Sequence, residues 1–142
     1  MTAAFGQLLS QEILDVPKLG TINVHASLLP RHRGSAPINW CVMMGEAVTG
    51  ITTMYTDIGM DTGDMLLKAE TPIGENETAG ELSDRLSELG AELLIRTLRE
   101  LEAGTLKRIP QNPAEATYEP KLDKETGRID WTKTAREIDC LV

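Results

Sequence analysis

Apolar positions recur with two different periods along the chain. The leucines at 82, 86, 89 and 93 repeat at three- and four-residue intervals, the mark of a helix that buries one face. "TAGE" at Thr78–Glu81 fits a capping box and Gly104 fits a C-terminal stop. The spacing therefore predicts a helix from about Ala79 to Ala103 with its leucine stripe in the core. "TINVHA", the β-branched "TGITTMYT" and "MLLKAETPI" read as strands, and "DIGMDTGD" is a loop between the last two. "APINWCVMMGE" suits a helix opened by Pro37 and ended near Gly45. "SQEILDVPKLG" predicts a short helix with Ser10 as N-cap and Pro17 as its stop. "MTAAFGQLL" reads as the end of a buried strand followed by a turn, and "TKTAREIDCLV" as the start of an amphipathic helix.

About three strands alternating with three helices indicate an α/β domain. An α/β sheet needs helices on both faces, and this pattern leaves one face with little cover. Both ends also stop in mid-pattern, so the sequence is expected to be a piece of a larger fold. Beyond Ile109 the text turns polar and proline-punctuated ("PQNPAEATYEPKLDKETGRIDW"), as in a surface crossing or linker. The expected division is residues 1–110 within one domain and 111–142 as a linker with the start of a helix.

Composition adds mainly exclusions. Apolar residues make up 41% and charged residues 25%, ordinary for a globular protein. The two cysteines, Cys41 and Cys140, are far apart and in no ligand-like spacing, so neither a disulfide framework nor a metal site is expected. The longest apolar runs are too short to span a bilayer and no signal peptide heads the chain, which favours a cytoplasmic protein. The net charge of −8 speaks against a nucleic-acid surface on this piece. Most of that acidity lies in residues 70–103, where nine acids face three arginines. The loop after His25 is locally basic.

That loop carries the candidate chemistry. Asn23 and His25 are two apart on a strand and share one face, with Val24 pointing into packing. An amide donates hydrogen bonds without titrating, and an imidazole moves a proton near neutral pH. Together they suit polarising a carbonyl and holding the oxyanion formed when a nucleophile attacks it. The other histidine, His32, lies between Arg31 and Arg33 and reads as solvent-facing. An orienting carboxylate is expected from "TDIGMDTGDML", which offers Asp57, Asp61 and Asp64 without choosing among them.

The run "GTINVHASLLPRHRGSAPI", with "DIGMDTGDML" and "GRIDWTKTAREID" further on, resembles the 10-formyltetrahydrofolate-dependent formyltransferases. The resemblance implies the C-terminal part of a Rossmann-like catalytic domain with a mixed sheet flanked by helices. It implies that Asn23, His25 and Asp61 are catalytic. It further implies that Ser27, Leu28, Leu29 and Pro30 contact the folate, and that Gln7, Leu8 and Leu9 face the Thr56–Asp61 loop, Asp57 included, across the pteridine pocket. The implied co-substrate is 10-formyltetrahydrofolate, with no metal. "GRIDWTKTAREID" favours the α-amine of methionyl-initiator tRNA as acceptor, with UDP-amino sugars as the alternative. A non-catalytic fragment that binds or self-associates is the reading of a different class. The family's first half and C-terminal barrel have no counterpart here, so weak tRNA binding by this piece is expected.

Overall fold

The computed structural model describes residues 1–142. In chain order it holds β1 (Thr2–Ala3), α1 (Gln11–Leu14), β2 (Ile22–His25), β3 (Arg33–Gly34), α2 (Pro37–Met43), β4 (Val48–Tyr55), β5 (Met65–Pro72) and α3 (Ala79–Glu102). A 3-10 turn (Pro113–Glu115), β6 (Tyr118–Glu119) and α4 (Ala135–Leu141) follow. The main sheet is mixed, in the order β1-β2-β4-β5, with β1 parallel to β2 and the other pairs antiparallel. A second, two-stranded sheet pairs β3 with β6 in parallel.

Alternation along β4 assigns the two faces of the sheet. Ile51 packs with Leu82, Leu86 and Leu93 of α3 and with Cys41 of α2, and Val24 of β2 joins that cluster. A Cβ on Gly90 would lie only 3.1 Å from Val24 Cγ1, so the helix approaches β2 closely there. Thr53 and Thr97, both buried, share a 2.8 Å hydroxyl contact between β4 and α3. Thr52 and Met54 point the other way, and Met54 packs with Leu29 and Met65 in a second core. Cross-strand partners share a face, and Asn23 pairs with Met54 and His25 with Thr52. Asn23 and His25 therefore lie on the face away from α3.

The capping box on α3 forms as expected: the Thr78 hydroxyl accepts from the Glu81 amide, and the Glu81 side chain accepts from Thr78. Pro37 opens α2, and Gly45 and Gly104 take the left-handed conformation just past their helices. Three expectations need correction. The helix after Ser10 is only Gln11–Leu14, it ends before Pro17, and Ser10 makes no side-chain cap bond. β1 is a two-residue strand with Thr2 half-buried and Ala3 exposed rather than a buried one, because only β2 flanks it. The polar stretch after Ile109 is more than a surface crossing: it comes back to pair with β3 through β6, where Glu119 is buried.

Candidate active site

β2 ends at His25, and Asn23 and His25 project from the same face about 7 Å apart along the strand. The Thr2 hydroxyl donates to Asn23 Oδ1 at 2.9 Å, which orients the amide and leaves its NH2 group without a protein partner. His25 is only 6% exposed. Its Nε2 lies 2.9 Å from the carbonyl oxygen of His32, and because a carbonyl only accepts, Nε2 carries a hydrogen and donates it. Its Nδ1 faces Asp61 Oδ1 at 3.6 Å, inside ion-pair range and beyond hydrogen-bond length. The ring is thus fixed at one nitrogen, and the other is left to work.

The three aspartates of the β4–β5 connection have separate roles. Asp61, at φ +53°, is the one within ion-pair range of His25, and its Oδ2 accepts from the Gly34 amide at 2.9 Å. Asp57 accepts from the Thr62 hydroxyl at 2.6 Å and from the Gly59 amide at 3.1 Å, so it closes the turn. Asp64 accepts from Arg108 Nε at 2.9 Å, and that guanidinium stacks 4.4 Å from the centre of the Tyr55 ring. The Gln111 side chain spans the same turn, donating to the carbonyls of Asp61 and Gly63 at 2.8 Å each.

The segment Ser27–Pro30 is held from beneath by β4 and β5. Thr52 Oγ1 donates to the Ser27 carbonyl at 2.7 Å and accepts from the Leu29 amide at 3.2 Å. The Lys68 ammonium donates to the Leu29 carbonyl. Burial pulls the Lys68 pKa down, with Glu115 and Glu70 pulling it back up. The Ser27 hydroxyl donates to the Arg31 carbonyl at 2.7 Å and closes the loop on itself.

His32 is not solvent-facing. It is 4% exposed, and its Nδ1 lies 3.0 Å from Glu119 Oε1. Its Nε2 is 3.1 Å from Glu46 Oε1 but without hydrogen-bond alignment, so that contact is an ion-pair approach only. Arg33 is buried as well, and two of its nitrogens donate to Gln111 Oε1 at 3.0 and 2.7 Å. Glu46, Gln111 and Glu119 lie far along the chain from "RHR", so nothing local to that run signals their arrival.

A 460 Å³ cavity opens between α1 and the end of β4. Thr56, whose buried hydroxyl lacks a partner, lines it with Asp57, Ile58, Lys18 and Arg108. Gln7, Leu8 and Leu9 are not on this cavity: Gln7 and Leu8 are exposed and Leu9 is half-buried on the segment before α1. A 720 Å³ cavity between α2, the turn after β5 and α4 takes none of the candidate catalytic or folate-contacting residues.

Residues 1–98 match the family described as formyl transferase. The chain belongs to the formyl transferase family. It is similar to the methionyl-tRNA formyltransferase of Acetivibrio thermocellus, 61% identical over 142 residues, which cover all of this chain and 46% of that protein. The chain thus spans less than half the length of the curated relatives it matches. Among solved formyltransferases, it is similar to the N-formyltransferase of Helicobacter canadensis in complex with folinic acid and dTDP-3-aminofucose. That likeness has a TM-score of 0.79 and 25% identity, over 84% of this chain and 45% of the other. PseJ of Anoxybacillus kamchatkensis, in complex with tetrahydrofolate and a UDP-formamido sugar, gives a TM-score of 0.75 and 28% identity, over 87% and 64% of the two chains. The mixed sheet flanked by helices is the architecture these formyltransferases share.

Proposed function

We propose that this chain carries the chemistry of an enzyme that moves a formyl group from 10-formyltetrahydrofolate to the α-amine of methionyl-initiator tRNA. The observation that carries this reading is the approach of Asp61 to the His25 ring beside the unpartnered amide of Asn23. The 61% identity to a methionyl-tRNA formyltransferase supports the choice of acceptor. Folate derivatives bound to the two similar sugar formyltransferases support the choice of donor.

The amine attacks the formyl carbon, and the carbonyl oxygen becomes an oxyanion. Asn23 donates to that oxygen from its NH2 group. His25, held at Nε2 by the His32 carbonyl, donates to the same oxyanion from Nδ1 when protonated, with the Asp61 carboxylate 3.6 Å from that nitrogen. The amine gives up a proton to Asp61, directly or through a water, and that proton is returned to the folate N10 as the C–N10 bond breaks and the oxyanion collapses to the formamide. Ser27–Pro30, fixed by Thr52 and Lys68, forms one wall for the folate, and Asp57 forms an edge of the pteridine slot. Residues 1–110 belong to the catalytic domain of a cytoplasmic enzyme, and 111–142 lead on from it.

The test is a formyl-transfer assay of the whole protein with 10-formyltetrahydrofolate and either methionyl-tRNA or an amino-sugar nucleotide. Formylmethionyl-tRNA is the expected product. Formylation of the sugar alone would refute the acceptor, and formylation of neither would refute the activity.

A further inference from the structure

Gln111 lies outside the strand and loops that carry the candidate triad, yet all of its amide hydrogen-bonding capacity is turned towards them. Its nitrogen donates to the carbonyls of Asp61 and Gly63, and its oxygen accepts from Nε and Nη2 of Arg33. Arg33 opens β3, and the next residue, Gly34, donates its amide to the Asp61 carboxylate. Asp61 is therefore gripped twice: its backbone by Gln111, and its carboxylate by the strand that Gln111 holds through Arg33. The grip acts on a residue at φ +53°, a left-handed conformation uncommon outside glycine that aspartate is among the few side chains to tolerate.

We propose that Gln111 is a positioning residue that sets the distance between Asp61 and His25. This inference rests on the catalytic reading above. Asp61 lies 3.6 Å from Nδ1, so a small drift of the turn changes whether the carboxylate acts on the ring. Sequence reading placed Gln111 in a polar linker; the structure makes that linker the strut of the turn.

Two substitutions separate the arms of the clamp. Gln111→Glu keeps an acceptor for Arg33 and removes both donors to the turn. Gln111→Met removes both arms at similar volume. In the whole protein, kcat for formyl transfer should fall about tenfold in each, with KM for the folate within about twofold. The ring ¹⁵N signal of His25, assigned by its loss in His25→Gln, should shift in both. A folded variant with kcat within about twofold of wild type overturns the proposal. So does a loss of kcat, folate affinity and melting temperature in parallel, or a failure of both variants to fold, since each marks a merely structural residue. If the wild-type protein transfers no formyl group, the catalytic reading fails by itself. The His25 signal then still decides: a shift supports the clamp, and an unchanged signal overturns it.

Discussion

The backbone carbonyl of His32 accepts a hydrogen bond from the ring of His25 at 2.9 Å. The contact belongs to the conformation of residue 32, at φ +56°, and not to the identity of its side chain. A second set of bonds holds that conformation: the His32 amide donates to the Thr117 hydroxyl at 2.8 Å, and its ring reaches Glu119.

Substitutions at His32 should therefore sort by backbone preference. Asparagine tolerates the left-handed region and retains a donor for Glu119, whereas valine does neither. We expect His32→Val to be less stable than His32→Asn by about 1–3 kcal/mol in urea denaturation. Equal stabilities would show that the left-handed turn contributes nothing.

The Thr52 hydroxyl is fully buried and serves two backbone groups of the Ser27–Leu29 loop. Thr52→Val preserves shape and leaves a buried carbonyl and amide unpaired, so a loss of about 1–3 kcal/mol is expected. Thr52→Ser keeps the hydroxyl and should lose less. Denaturation of the two variants checks the order, and a valine variant as stable as the serine one would exclude the bridge.

Arg85 sets a pH dependence on the far side of the molecule. Its side-chain bonds to Glu77, followed by the Gly74 amide, hold the Glu77 carboxyl below its ordinary value of 4.5. A depressed carboxyl adds stability above its unfolded pKa and loses it as pH falls through the folded one. Wild type should therefore melt above Arg85→Met at pH 7, and the gap should narrow as pH falls below the ordinary carboxyl value of 4.5 and close once the folded Glu77 is protonated. A gap that persists in acid would assign the effect to lost packing of Arg85.

The long elements were legible because each buries a repeating face. The α3 stripe, the β-branched run of β4 and the capping residues of Thr78–Glu81 all signal locally, and they appear where expected. β3 and β6 are two-residue strands whose pairing joins distant segments, so no period announces them. His32 was misread for the same reason. Between two arginines it looks solvated, and Glu119, which buries it with Glu46, arrives from the far end of the chain. Asn23 and His25 could be paired from strand alternation alone. The choice of Asp61 needed the resemblance, and the geometry adds what spacing lacks: Asp57 is bound within its own turn and Asp64 is taken up by Arg108.

The most direct measurement is a double-mutant cycle on kcat for formyl transfer with His25→Gln, Asp61→Asn and the pair, in the whole protein. If the ring and the carboxylate work as a unit, each single change should lower kcat by on the order of 10²-fold or more, and the pair should lose little beyond the worse single. Losses that multiply in the double variant, or near-normal turnover in either single one, would contradict it.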